Sequence, residues 1–248
     1  GGTLAEIAED KSYVITGEQK AIYVAEQQAE VMEIIEKRAK AFDIPTRVYG
    51  REFAAQNIRY TESGMVFDVV IGERRYTDIK IPLLGEHQAK NCALAMAVSM
   101  DVLSEYRDRT DINSIKNGLM ELDWKGRMEI LSSEPFTLLD ACINSSSCVN
   151  VRDILRHFQI NDVTVIIGIP DDKDFEGVAR EMNLVAGQII LTRSQNPHYV
   201  FTEGQRQKLE QEGISALWTD TIEEALDMAR RKKKPIVILG TTSVISEV

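Results

Sequence analysis

The sequence predicts an α/β protein in two parts. Helices with a small antiparallel sheet occupy residues 1–123, and a Rossmann-like parallel sheet covered by helices occupies residues 124–248. Two observations carry this. Between residues 46 and 84, short β-prone runs are separated by Glu62-Ser63-Gly64 and Gly72-Glu73-Arg74, spacers suited to tight hairpins. Beyond Asp123-Trp124, apolar runs alternate with amphipathic stretches, the pattern of a parallel sheet buried on both faces.

In the first part, a short strand is expected over 12–15. A helix is expected over 21–42, where Val24, Val31, Ile34 and Ile35 recur at helical spacing. Strands follow around 58–60, 65–71 and 75–81, then helices over 87–104 and 112–122, the last capped by Asp111. In the second part, strands are expected over 136–140, 163–167, 188–192, 216–218 and 236–239. The helices between them are expected over 149–158, 175–184, 202–212 and 222–232. The basic run Arg230-Arg231-Lys232-Lys233-Lys234 reads as a helix C-terminus that complements its own dipole. Open α/β sheets bind ligands at the C-terminal ends of their strands, so the turns there are the places to look for chemistry.

Composition excludes several classes. A formal net charge of −10 argues against a nucleic-acid partner. No run of about 18 apolar residues suggests a membrane span, and no basic-then-apolar opening suggests a signal peptide. Three cysteines (Cys92, Cys142, Cys148) without metal spacing, and three scattered histidines, point to a reducing cytoplasm and away from zinc. No Gly-x-Gly-x-x-Gly follows a strand, which argues against a dinucleotide-dependent dehydrogenase. An opening at Gly1-Gly2 rather than Met suggests a fragment or a processed chain.

Several segments, in order, resemble one family. They are Gly1-Gly-Thr3-Leu-Ala-Glu-Ile7-Ala8-Glu-Asp-Lys11, Leu83-Leu84-Gly85-Glu-His87-Gln88-Ala-Lys-Asn91, Trp124-Lys-Gly126-Arg127-Met-Glu129 and Gly168-Ile-Pro-Asp-Asp172-Lys173-Asp174. Leu191-Thr192-Arg193 and the closing run 240–248 extend the match. Together they resemble the folylpolyglutamate synthase/dihydrofolate synthase family of the Mur ligase superfamily. The resemblance implies a partial central ATPase domain over 1–123 and a glutamate-ligase domain over 124–248. It implies ATP and Mg2+ as cofactors, and glutamate and a folate-like acid as further small-molecule partners of a cytoplasmic monomer. The chemistry implied is phosphorylation of a carboxylate by ATP, followed by attack of the amine of glutamate on the acyl phosphate. A phosphate loop, Gly-x-x-x-x-Gly-Lys-Ser/Thr, is not present, and Gly-Lys occurs nowhere in the chain. In the family that loop lies upstream, so truncation is the expected explanation, and the isolated chain is expected to be inactive.

The resemblance also assigns residues. Lys11 matches a lysine that is often carbamoylated and helps hold magnesium, with His87 nearby in the metal region. The alternative for Lys11 is a solvated helix-end lysine. His87, Gln88 and Asn91 match an adenine- or metal-contacting turn, or else cap and pack a helix. Arg127 matches a nucleotide contact, or else forms an ion pair with Glu129. Asp140 matches a ribose-binding aspartate within a family segment Asp-Gly-Ala-His-Asn-Pro. The chain reads Asp140-Ala-Cys142-Ile143-Asn144-Ser145 there, keeping Asp and Asn and replacing Gly, His and Pro. Ser145 and its neighbours Ser146 and Ser147 bind an anion at a helix N-terminus, or serve only as caps. Asp172 and Lys173 form a charge cluster for substrate, or a solvated loop. Two function classes stay open. One is a family ligase acting on folate or on another acid. The other is a degenerate module that keeps the fold to bind a nucleotide or a protein.

Overall fold

A capping box opens the chain: the Glu6 N–H donates to the Thr3 hydroxyl at 3.2 Å, and the Thr3 N–H donates to the Glu6 carboxylate at 3.3 Å. The computed structural model describes residues 2–61, 63–105 and 111–248. The chain divides into two units, residues 1–82 with 86–122, and residues 83–85 with 123–248.

In the first unit, the helix that Thr3 caps is α1 (Leu4–Ser12). The strand expected over 12–15 does not form. Ser12 ends the helix, and tight turns follow, with Tyr13, Val14 and Ile15 N–H groups bonded to Asp10, Lys11 and Ser12 carbonyls. The local Thr3-x-x-Glu6 signal outweighs the β-branched pair Val14-Ile15. The helix expected over 21–42 splits into β1 (Ile22–Val24) and α2 (Ala29–Ala41). Gln28 starts α2 without a side-chain cap bond, so no local cap marks the break. β1 pairs in parallel with β2 (Thr46–Val48). An antiparallel meander follows, β3 (Phe53–Thr61), β4 (Gly64–Ile71) and β5 (Arg74–Ile81), joined by the expected Gly72-Glu73-Arg74 turn. Glu62, in the other expected turn, lies outside the described residues. Then come α3 (Glu86–Glu105), which packs on β3 and β4, and α4 (Ile112–Met120). Asp111 stands at the start of α4 but makes no side-chain cap bond to its backbone. Its carboxylate instead accepts from Asn113 Nδ2 at 3.3 Å.

The second unit carries β6 (Glu129–Ser133), β7 (Phe136–Asp140), α5 (Ser145–His157), β8 (Val163–Gly168), α6 (Phe175–Asn183) and β9 (Ala186–Leu191). It continues with α7 (Gly204–Gln211), β10 (Ala216–Trp218), α8 (Ile222–Arg231), β11 (Ile236–Gly240) and α9 (Thr242–Ile245). The six strands run β10-β9-β8-β11-β7-β6, all parallel except the β6–β7 hairpin at the edge. Period-2 alternation splits the strand residues between two buried faces. Leu139, Ile166, Ile190, Ile236 and Ile238 pack with Ala225 and Leu226 of α8 and with Val244 of α9. Their neighbours Leu138, Val165, Ile167, Ile189, Val237 and Leu239 are equally buried. Helices α5, α6 and α7 pack side by side. Right-handed crossovers put them on the face opposite α8, because only the β10–β11 connection runs back across the sheet. That return places β11 between β7 and β8, so the C-terminal ends of β7 and β8 flank the end of β11. Arg230 and Arg231 form the last turn of α8. Among the described residues no helix is long and apolar enough to cross a membrane.

Candidate functional site

The C-terminal end of β7 carries Asp140, 6% exposed. The chain reaches it through a hairpin that begins at the preceding motif. The Met128 N–H donates to Asp140 Oδ2 at 2.9 Å. Met128 has a positive φ of 48°, which turns its amide inward. Gly126 donates its N–H to Glu129 Oε2 at 2.7 Å, and its carbonyl accepts from the Ala141 N–H at 2.9 Å. Segments 124–129 and 140–141, separate motifs in the sequence, therefore form one folded turn around a buried carboxylate. Burial pushes the Asp140 carboxyl up to about 6, against the Met128 hydrogen bond and the positive charge of Arg127, which pull it down. Of the two roles open to Arg127, the ion pair with Glu129 falls to another residue: Lys125 Nζ sits 3.4 Å from Glu129 Oε1 and 3.2 Å from Asp123 Oδ1. Half-buried Arg127 instead supplies charge to Asp140.

Asn144 and Ser145 follow on the same loop. Asn144 is the N-cap of α5, its Oδ1 accepting from the Ser147 N–H at 2.9 Å and from the Ser146 hydroxyl at 2.8 Å. Asn144→Ala is expected to cost about 1 kcal/mol of stability, the usual worth of such a cap, measurable by urea unfolding. The Ser145 N–H donates to Asp174 Oδ2 at 2.8 Å. Asp172 and Lys173 lie on the exposed β8–α6 loop and pair with each other, 3.0 Å apart. Asp174 does not join that pair: it caps α6 through the Gly177 N–H at 3.0 Å.

The first unit holds the remaining candidates. Lys11 lies in the last turn of α1 on the edge of a cleft of about 410 Å³ that Leu4, Ile7, Ile15, Val24 and Val31 also line. Its Nζ lies 3.4 Å from Asp10 Oδ2, with both side chains exposed. His87, half-buried, and Gln88, 8% exposed, stand in the first turn of α3. Asn91 Nδ2 donates to Gln88 Oε1 at 3.3 Å, so one turn of α3 orients both amides. Magnesium selects oxygen ligands. Lys11 as an ammonium group and the nitrogens of His87 do not supply them. Among the described residues, no group of three or more His, Cys, Asp or Glu side chains is placed to hold an ion. The described side chains as they stand do not offer a magnesium ion a set of oxygen ligands. The three cysteines are buried free thiols, and burial pushes Cys92 up to about 12, out of the range of a nucleophile.

Residues 1–99 match the Mur ligase middle domain. The chain is 27% identical, over its whole length, to a probable bifunctional folylpolyglutamate synthase/dihydropteroate synthase of Haloferax volcanii, and covers 30% of that protein. It is 22% identical over its whole length to the dihydrofolate synthase/folylpolyglutamate synthase of Bacillus subtilis, and covers 58% of it. The chain is thus similar over its whole length to folylpolyglutamate and dihydrofolate synthases, and over residues 1–99 to the Mur ligase middle domain. Its fold superimposes with a TM-score of 0.85 on Mycobacterium tuberculosis folylpolyglutamate synthase complexed with ADP and AMPPCP. That match is 24% identical and covers all of this chain and 58% of that one. The chain therefore spans between 30% and 58% of the length of these synthases. The Mur ligase match stops at residue 99, so the motifs around Arg127, Asp140 and Asp172 rest on the synthases themselves.

Sequence reasoning missed two contributors to the site. The backbone N–H of Met128 is invisible as a side-chain motif, and only its left-handed turn aims it at Asp140. Asp174 stood in a recognised motif, yet its partner Ser145 lies 29 residues away, and no local signal connects them.

Proposed function

We propose that this chain corresponds to part of an ATP-dependent amide ligase that joins glutamate to a folate-type carboxylate through an acyl phosphate. In this reading residues 1–123 belong to the ATPase domain and residues 124–248 are the glutamate-ligase domain. The observation that carries it is Asp140: a nine-tenths buried carboxylate at a strand's C-terminal end, wrapped by the Gly126–Met128 turn, where an α/β sheet binds ligands. A carboxylate there suits the two hydroxyls of a nucleotide ribose. Within these 248 residues nothing provides a Gly-Lys phosphate cradle, so contacts to the nucleoside dominate and affinity is weak. Saturation-transfer NMR, which reads weak binding, is the appropriate test. ATP signals are expected with the unsubstituted chain and are expected to disappear in Asp140→Asn. Equal ATP signals from both proteins would sink the reading.

The same chain with ATP, magnesium, glutamate and folate is expected to release phosphate at the background rate, checked by a coupled phosphate assay. Turnover above background would overturn the inactivity of the isolated chain. The second reading, a module that binds without catalysis, draws on Asn144 and Ser145. Both are hydrogen-bonded within the protein rather than left open to a ligand. In that reading ATP binding persists, and the longest natural form of the protein also fails to release phosphate.

A further inference from the structure

We propose that Asp174 is a positioning residue that holds the Asp140–Ser147 loop in place for nucleotide. This inference rests on the ligase reading of Asp140. One carboxylate closes the N-termini of two helices. Asp174 Oδ1 accepts from the Gly177 N–H of its own helix α6 at 3.0 Å, and Asp174 Oδ2 accepts from the Ser145 N–H, the first residue of α5, at 2.8 Å. The strands feeding these helices, β7 and β8, are not neighbours, because β11 runs between them. The bond therefore joins two loops across the end of β11, on the edge where Asp140 sits. Helix N-termini attract anions. Here the protein's own carboxylate fills that role at α5, while Asn144 caps the same helix at the Ser147 N–H. With both donors engaged, the loop is tied at its α5 end by Asp174 and at its β7 end by the Ala141–Gly126 bond at 2.9 Å.

Further support comes from hydrogen bonding and packing. Partial desolvation would raise the carboxyl of the exposed Asp174, but hydrogen bonds from the Ser145 backbone and hydroxyl and from Gly177, with the charge of Arg180, outweigh it and hold the group below the usual carboxylate range. The ionised, accepting form is thus the resident one near neutral pH. At Gly177 a Cβ would stand 2.4 Å from both Asp174 carboxylate oxygens, so only glycine lets the carboxylate sit where it reaches Ser145. Farther along, Arg152 of α5 pairs with Glu181 of α6 at 2.6 Å. Loss of Asp174 therefore leaves the helices paired and loosens only their N-terminal loop.

Two variants perturb the same bond by different routes. Asp174→Ala removes the carboxylate. Gly177→Ala keeps it but displaces it, while raising the intrinsic helix propensity of α6. Amide hydrogen exchange of the purified chain is expected to speed up at least tenfold at Ser145 and across 141–147 in both variants. β9 and β10 should be unaffected. The ATP saturation-transfer signal is expected to fall at least fivefold in both. A merely structural role would speed exchange at Ser145 in both variants but leave the ATP signal at its original strength. Unchanged exchange at Ser145 in both variants overturns the proposal, as does faster exchange with undiminished ATP signal. If the unsubstituted chain gives no ATP signal, the nucleotide reading falls with its positioning role. Exchange at Ser145 then decides separately whether Asp174 ties the loop.

Discussion

Asp140→Asn is expected to stabilise the protein at pH 7.5 while removing its interaction with nucleotide. Asp140 is 6% exposed, and its carboxyl is pushed from 3.8 up to about 6. A carboxyl whose folded value is raised contributes stability that is fully present below its unfolded value and lost as pH rises through its folded value. At neutral pH the ionised side chain is therefore a net cost. The shift from 3.8 to about 6 corresponds to about 3 kcal/mol at roughly 1.4 kcal/mol per pH unit. Asparagine keeps an oxygen for the Met128 N–H and cannot ionise, but its amide also loses hydration. The expected gain at pH 7.5 is thus about 1–3 kcal/mol, shrinking towards zero as pH falls from 6 to 4. Urea unfolding of both proteins across that range checks it. A variant less stable than the parent at pH 7.5 would show that the carboxylate is structural. The predicted pairing, more stable but unable to take nucleotide, is the signature of a group kept for function at the expense of stability.

The second large effect concerns the ends of β8 and β11. A Cβ on Gly168 would lie 2.7 Å from both methyls of Val244, whereas a Cβ on Gly240 would lie 2.5 Å from the Gly168 carbonyl oxygen. Both substitutions overpack a fully buried region and are expected to cost about 2–3 kcal/mol. They should differ in how they are rescued. Val244→Ala removes the methyls that oppose Gly168→Ala, so that double variant should recover at least about 1 kcal/mol relative to additivity. The nearest obstacle to Gly240→Ala is backbone of a neighbouring strand, which no side-chain truncation removes, while Val244 stands farther off at 3.1 Å, so its pairing with Val244→Ala should recover distinctly less. A double-mutant cycle by urea unfolding separates the two. Equal rescue of both would mean that α9, not strand spacing, sets the contact.

The sequence-level reading succeeded where the signal is periodic or local. The runs at 136–140 and 216–218 appear in the structure with the expected bounds, and those at 163–167 and 236–239 extend by one residue. An alternating buried strand with glycine or polar residues at its ends is legible without knowing its neighbours. The reading failed over 12–15, where β-branched residues lost to a helix capped nine residues earlier. It failed again over 21–42, where a three-residue strand interrupts helical spacing because it pairs with β2, a partner remote in sequence. β6, half-exposed at the sheet edge, exists through its antiparallel pairing with β7 rather than through any apolar run of its own.

The candidate site divides along the same line. By itself the sequence picked out the candidate residues, because ordered motifs name Arg127, Asp140 and the Asp172–Asp174 turn one segment at a time. The tertiary structure decided what each touches. The Gly126–Met128 turn folds onto Asp140, burial raises that carboxyl, Lys125 takes the partner expected of Arg127, and Asp174 reaches Ser145 across β11. A residue's chemical type is local to the chain, but its hydration and its hydrogen-bond partners belong to segments that meet only when the sheet has closed.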